Sequence, residues 1–384
     1  MFSMHRHDTQ RYLFIDLLRF GAVVFMLQGH TFDALLASSV KHSSFFYLHD
    51  FFHGLIAPMF LFSSGVAFGV STFKKWQEHL SFTRVVRKRI ARFTGLIVVG
   101  YALHLPFFSL NKILHDSTAQ EMAAFLQVDA LQCIAVTLLF LQILILIVRT
   151  EKRLVLFAVI IAPLIVFISP IIWNISFQHS LPLWLGSYLN AENNSWFPLV
   201  PWSTYLLFGV TFAHAFVYAK ENGEASLLMK RVAAGGVIVI IGMVMLANIP
   251  FHLYGPHDFW KVNPTVLFAR TAFVATMACC LYFVEQLVHI PTRLPMIMGS
   301  ESLVIYVLHL IIIYGSVINN GLQYSLGGKL SLVEAIGVFL LVLVAMSTFA
   351  YIWHSLKMNF RRESVLLKFA LTATFLFYFV TRPY

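Results

Sequence analysis

The chain is 384 residues long, 59% hydrophobic and only 11% charged, with a mean hydropathy of +0.78; a soluble domain of this size carries about a quarter charged residues, so a soluble fold is excluded. Its formal net charge of +10 would point to nucleic acid in a soluble protein, but in a chain that crosses a bilayer the basic residues must first be sorted by loop. Cys133, Cys279 and Cys280 lie in apolar stretches, with neither metal-knuckle spacing nor a secreted-style even set, and identify no metal and no compartment.

A helix needs roughly 20 mostly apolar residues to cross a hydrocarbon core about 30 Å thick. Eleven segments meet that length: 12–36, 51–73, 90–110, 130–148, 154–173, 201–219, 232–249, 265–288, 299–318, 332–356 and 364–380. The expected fold is all-α, a polytopic membrane helix bundle of about 11 transmembrane helices, forming a single transmembrane domain over residues 1–384. The first apolar segment is too long for a cleaved signal peptide, contains Asp16 and Arg19, and has no small-x-small cleavage site, so a retained N-terminus is expected.

The loops fall into two classes. Of the 27 Lys and Arg residues, twenty lie in the N-terminal tail, with Arg6 and Arg11, and around every second loop, led by Lys74, Lys75, Arg84, Arg87, Lys88, Arg89 and Arg92. The other loops hold only Lys41, Lys112, Lys261, Lys329 and Arg382, while Arg19 and Arg270 lie inside spans. This asymmetry predicts a cytoplasmic N-terminus and accounts for the basic balance without a nucleic-acid partner.

The first span carries Asp16, Arg19, His30 and Asp33 within one arc of about 100°, a single face of the helix. A rise of 1.5 Å per residue puts His30 about 16 Å beyond Arg19, Arg19 in the inner half and His30 in the outer half. Ionisable groups inside spans are costly and are functional candidates by default. Asp16 and Arg19 read equally as a structural ion pair or as part of a site. His30 with Asp33 one turn away is a candidate catalytic pair, because a carboxylate beside an imidazole fixes its tautomer and raises its basicity.

Next come His42, His49, Asp50 and His53, just before the second span. His49 and His53 form one i, i+4 pair without a clear third ligand, so no metal is expected; the group reads as the outer mouth of the same cavity or as an interfacial cluster. In the following basic run, Arg89 and its neighbours are candidates for binding phosphates through charge-assisted hydrogen bonds. Asp129 and Gln132 open the fourth span, Arg270 lies in the eighth, and Glu301, Ser302 and His309 lie in the ninth; together they are candidates to complete a polar cavity. His104, His214 and His354 read as packing residues. Outer aromatics, among them Trp184, Trp196, Tyr254 and Trp260 with His252 nearby, read as an interfacial belt or as a carbohydrate-facing platform.

The blocks "FIDLLRFGAVVFMLQGHTFDAL", "APMFLFSSGVAFGVS", "RVVRKRIARFTGLIVVGYALHLP", "DALQCIAVTLLFL", "FPLVPWSTYLLFGVTFA" and "SESLVIYVLHLIIIYG" resemble, in order, those of bacterial relatives of heparan-alpha-glucosaminide N-acetyltransferase. The first block is also similar to the broader type 3 membrane acyltransferases. The resemblance implies an eleven-span fold and transfer of an acetyl or short acyl group from cytosolic acetyl-CoA, a cosubstrate, to a glycan or amino-sugar acceptor on the outer face. It implies residence in the bilayer, with the bacterial inner membrane as the expected location, and it allows a homodimer. The catalytic histidine it implies corresponds to His30 or to the cluster around His49. On this reading Asp16, Arg19, Arg89, Arg270, Asp129, Gln132 and His309 form the cosubstrate side of the cavity. Two departures bear on the acceptor: Phe20 stands where a glycine often follows the arginine, and Gln28 and Gly29 precede His30 where an acidic or asparagine residue is more common.

The rival class is a proton-coupled solute transporter or carrier using the same in-membrane Asp, Arg and His residues. That class predicts inverted repeats and paired broken helices, and neither is evident in the sequence. A noncatalytic lipid- or pigment-binding scaffold has only the 15% aromatic content in its favour.

Overall fold

The computed structural model describes residues 12–249, 253–288 and 292–383; Arg6, Arg11 and His252 lie outside the described residues. The principal helices are α1 (Leu13–Leu35), α2 (Ser44–His53), α3 (Ile56–Phe73), α4 (Arg84–Ala102), α5 (Ala130–Val148), α6 (Glu151–Trp173), α7 (Leu199–Glu221), α8 (Ala225–Ala247), α9 (Pro264–Leu287), α10 (Arg293–Ser300), α11 (Ser302–Tyr314), α12 (Leu332–Asn359) and α13 (Arg361–Thr381). The described residues form no β-strand, only two isolated bridges. Nine helices among them are long and apolar enough to cross a bilayer, ten if α10 and α11 count as one bent span. The fold is an all-α polytopic bundle, as expected.

Three expected spans differ in detail. The second is interrupted after His53, so that α2 and α3 are separate helices, although residues 49–73 still count as one crossing. The third, expected over 90–110, is α4 at Arg84–Ala102. The Thr83 side chain accepts the Val86 N–H and starts the helix inside the basic run, and that basic first half keeps α4 out of the nine apolar spans. The ninth is broken: α10 and α11 meet at 74° around Glu301, and α11 stops at Tyr314, where Gly315 takes a φ of 91° that only glycine adopts cheaply.

Helix association in a bilayer relies on close packing through small residues, and the contact of α3 with α7 shows it. A Cβ at Gly65 would lie 2.0 Å from the Leu206 carbonyl oxygen, and one at Gly209 2.2 Å from that of Phe62. The two backbones touch. Two apolar cores then flank α1. One joins it to α3, α5, α6, α7 and α9 through residues such as Phe14, Phe62, Leu141 and Phe216; the other joins it to α10, α11 and α12 through Val23, Leu27, Met298, Ile305 and Met346. Helix α1 is therefore central, whereas α8 and α13 expose apolar side chains such as Ile238, Phe369 and Phe377.

Loops expected to share a face meet in space. On one face the Ala37 N–H donates to the Leu330 carbonyl, the Phe197 N–H to that of Val128, both at 2.9 Å, and the Ser109 hydroxyl to that of Arg382 at 2.7 Å. On the opposite, basic face, the Lys74 and Lys220 ammonium groups lie 4.3 and 4.7 Å from the centroid of the Tyr12 ring.

Candidate active site

The polar stripe of α1 meets two different sets of partners at its two ends. At the end away from the basic loops, His30 is half-buried and its Nδ1 lies 3.0 Å from the Tyr314 hydroxyl, the last residue of α11. The His309 ring, one turn earlier on α11, is centred 5.0 Å from that of His30. His309 is fully buried, and its Nδ1 lies 2.9 Å from the Ile305 carbonyl. A carbonyl only accepts, so the proton sits on Nδ1 and Nε2 presents a bare lone pair. That Nε2 is buried and finds no hydrogen-bond partner among the described residues, a situation that costs about 1–3 kcal/mol.

Behind this pair, Tyr306 donates its hydroxyl proton to the Asp129 carboxylate. Asp129 is held by its own role as N-cap of α5: its side chain accepts the Ala130 N–H at 2.7 Å, and Gln132 Oε1 accepts the Asp129 N–H at 3.2 Å. The sequence Asp-Ala-Leu-Gln is thus a capping box whose acid also turns into the site. His104 Nε2 lies 3.6 Å from the same carboxylate, and Gln127 lies 2.8 Å from His104 Nδ1.

The second histidine group is a neighbour of His30, not a distant alternative. A Cβ on Gly29 would lie 2.4 Å from the His53 ring, so glycine is what lets His53 settle against α1 beside His30. His49 stacks between Phe46 and Phe32, at 4.5 and 5.5 Å, and 5.8 Å from His53; its Nε2 is likewise buried and unmatched among the described residues. Arg270 closes this side, with Nη1 donating to the Trp260 carbonyl at 2.8 Å and Nη2 packed on Gly54. Among the described residues, no three His, Cys, Asp or Glu side chains converge as metal ligands.

Asp33, expected one turn from His30, makes no hydrogen bond to its ring among the described residues. It lies on the last turn of α1, is exposed, and pairs with Lys41, whose Nζ is 3.6 Å from Oδ1 and also donates to the Asp33 carbonyl. Solvent and a lysine eight residues on compete successfully for a carboxylate at a helix end. Tyr314 occupies the position beside His30 instead. Sequence reasoning missed Tyr314 and Tyr306 and set His104 aside as packing; only the i, i+3 spacing of Tyr306 and His309 offered a signal.

At the basic end, Asp16 is buried, and Arg19 Nη2 lies 3.5 Å from the Ser63 carbonyl. Gly299 of α10 rests on this pair: a Cβ there would lie 3.5 Å from the Asp16 carbonyl and 3.6 Å from the Arg19 Cβ. Glu301, at the bend, is buried, accepts from Lys357 Nζ at 2.7 and 2.8 Å and has His354 Nδ1 at 3.2 Å. Beside it opens a cavity of about 270 Å³ lined by Arg293, Met296, Ile297, His354, Ser355, Met358 and Asn359.

The expected cosubstrate side is therefore divided. Asp129, Gln132, His309 and Arg270 gather at the His30 end; Asp16, Arg19 and Arg89 lie in the basic half. Arg89 is engaged within the fold, donating to Thr72 Oγ1 at 2.9 Å, Ser71 Oγ at 2.6 Å and Gln142 Oε1 at 3.3 Å, with His79 Nδ1 also at 3.3 Å. Through its two Nη atoms it staples α3, α4 and α5 together. Burial, and then the neighbouring Arg89 charge, push the His79 imidazole down to about 4.

A family model described as heparan-alpha-glucosaminide N-acetyltransferase, catalytic, matches residues 11–257, more than half of the chain. The match takes in α1 to α8, including His30, His49, His53 and Asp129; Arg270, Tyr306, His309 and Tyr314 come after it. Comparison with curated proteins gives no match.

Proposed function

The chain belongs to the heparan-alpha-glucosaminide N-acetyltransferase family, a family of membrane acetyltransferases, and on that footing we propose that it moves an acetyl group from acetyl-CoA to an amine on a glycan or amino sugar, with His30 as general base. Acetyl-CoA is taken up on the face of the basic loops and the acceptor is acetylated at the opposite face, in a bacterial cytoplasmic membrane. The whole chain serves as one catalytic unit, since the partners of His30 come from both sides of residue 257.

The observation that carries this reading is the pairing of His30 with Tyr314. With the His30 proton on Nδ1 and the tyrosine oxygen accepting it, Nε2 is left free to take a proton from the acceptor amine. As the amine nitrogen adds to the thioester carbonyl, the C–N bond forms, the C–S bond breaks, and CoA leaves as the thiolate. Arg19 and Asp16, on the same face of α1 in the basic half, orient the incoming thioester arm.

The test is reconstitution in liposomes with acetyl-CoA and glucosamine-terminated oligosaccharides, comparing wild type with His30→Ala and His49→Ala at equal folded yield. Loss of a general base lowers turnover by roughly 10²- to 10⁴-fold, and this is expected for His30→Ala alone. Unaltered turnover in that variant removes His30 from the mechanism. A wild type that neither transfers acetyl groups nor is stabilised by acetyl-CoA removes the proposal.

A further inference from the structure

Resting on the acetyltransferase reading, we propose that His309 is the proton-receiving partner of His30. Four observations converge on it. Its tautomer is dictated by the Ile305 carbonyl 2.9 Å from Nδ1; its Nε2 is buried without a hydrogen-bond partner among the described residues; its ring is centred 5.0 Å from that of His30; and Tyr306, 5.7 Å away ring to ring, donates to the Asp129 carboxylate. A histidine kept only for packing has no use for a bare basic nitrogen, and buried polar atoms in native proteins are nearly always matched.

The titratable groups that act on His309 are His30 from α1, Tyr306 on its own helix and Asp129 at the head of α5; Asp129 is also approached by His104, and His30 by Tyr314, His53, Asp129 and Asp33. They fit a one-step relay. The amine proton released as the C–N bond forms goes to His30, which becomes an imidazolium. His30 hands a proton to His309 Nε2, directly or over one water, and is neutral again for the next acceptor. His309 then carries N–H on both nitrogens, with Nδ1–H still on the Ile305 carbonyl and its charge facing Asp129 across Tyr306. The proton is finally discharged to the CoA thiolate, which leaves as the thiol. No oxidant, reductant or further reactant enters.

His309 acts through His30, so the test needs a readout that packing does not move. The full-length protein in liposomes is assayed with acetyl-CoA and glucosamine across pH, as wild type and as His309→Asn. Asparagine keeps a donor for the Ile305 carbonyl and deletes the basic nitrogen. If both imidazoles must be neutral, the acidic limb of log kcat against pH has a slope of two in the wild type and of one in the variant. The plateau kcat of the variant falls by about a hundredfold, the weak end of general-base effects, while KM for acetyl-CoA is unchanged. A variant with the wild-type slope and kcat overturns the relay. Should His309→Asn fail to fold, ¹⁵N NMR of histidine-labelled wild type decides: a neutral ring protonated on Nδ1 with a bare Nε2 is expected, and a protonated Nε2 overturns the proposal. An inactive wild type overturns the acetyltransferase reading and the relay with it; an active wild type with inactive His30→Ala and unaffected His309→Asn overturns the relay alone.

Discussion

His30 Nδ1 and the Tyr314 hydroxyl, 284 residues apart in the chain, lie 3.0 Å from each other and join the first long helix to the end of the broken one. The contact also sets the two rings edge to face, 5.7 Å between centroids. Tyr314→Phe keeps the ring and removes only the hydroxyl. Turnover should fall about tenfold through loss of imidazole orientation, with a stability loss of about 1 kcal/mol. Steady-state kinetics and thermal unfolding in detergent measure the two effects, and an unchanged kcat would show that Tyr314 does not hold the base.

Asp33→Asn should do little. Its carboxylate is exposed and pairs with Lys41, and exposed ion pairs contribute about 0–1 kcal/mol. Turnover within about twofold of wild type is expected across neutral pH. A collapse like that of His30→Ala would mean that Asp33 serves the imidazole after all.

Gly29→Ala places a methyl group 2.4 Å from the His53 ring. Overpacking of this kind costs about 1–3 kcal/mol, and here it also displaces the histidine beside His30. Adding His53→Ala should restore stability while leaving activity impaired, a non-additive pair readable in a double-mutant cycle. Strict additivity of the two stability changes would argue against the contact.

His79 gives the basic face a pH dependence. Its imidazole titrates at about 4 in the folded protein because it is buried and then because it faces Arg89, against about 6.5 in the unfolded chain. The folded value is the lower one, so between them the unfolded state binds more protons. Stability therefore rises with pH through this window, and it is lost as pH falls from about 6.5 towards 4. His79→Gln should flatten the unfolding temperature over that range; identical slopes in variant and wild type would assign the acid sensitivity elsewhere.

The sequence is informative where a single helix is its own context. Apolar runs of about 20 residues must satisfy their backbone internally, so the spans and the shared face of Asp16, Arg19 and His30 were legible from periodicity. Asp33 lies on that face too, but periodicity does not say that a helix end frees a carboxylate for Lys41. The start of α4 was obscured because apolarity favours residue 90, whereas the Thr83 cap begins the helix earlier. Tyr314, His104 and the bend at Glu301 depend on contacts between distant segments, for which a lone chain carries no local signal. Arg89 was read as one of a run of candidate phosphate ligands, since nothing near it in sequence reveals Thr72 and Gln142 as its acceptors.

The bend at Glu301 has a mechanical meaning. One arm, α10, sits on Asp16 and Arg19 through Gly299; the other, α11, brings His309 and Tyr314 to His30. The elbow is bolted to α12 by Lys357 and His354. The broken segment thus works as a calliper closed on the central helix, its two jaws resting where donor and acceptor chemistry would be found. The two jaws and their pinned joint form one connected set of contacts that reaches from the Asp16–Arg19 end of α1 to the His30 end.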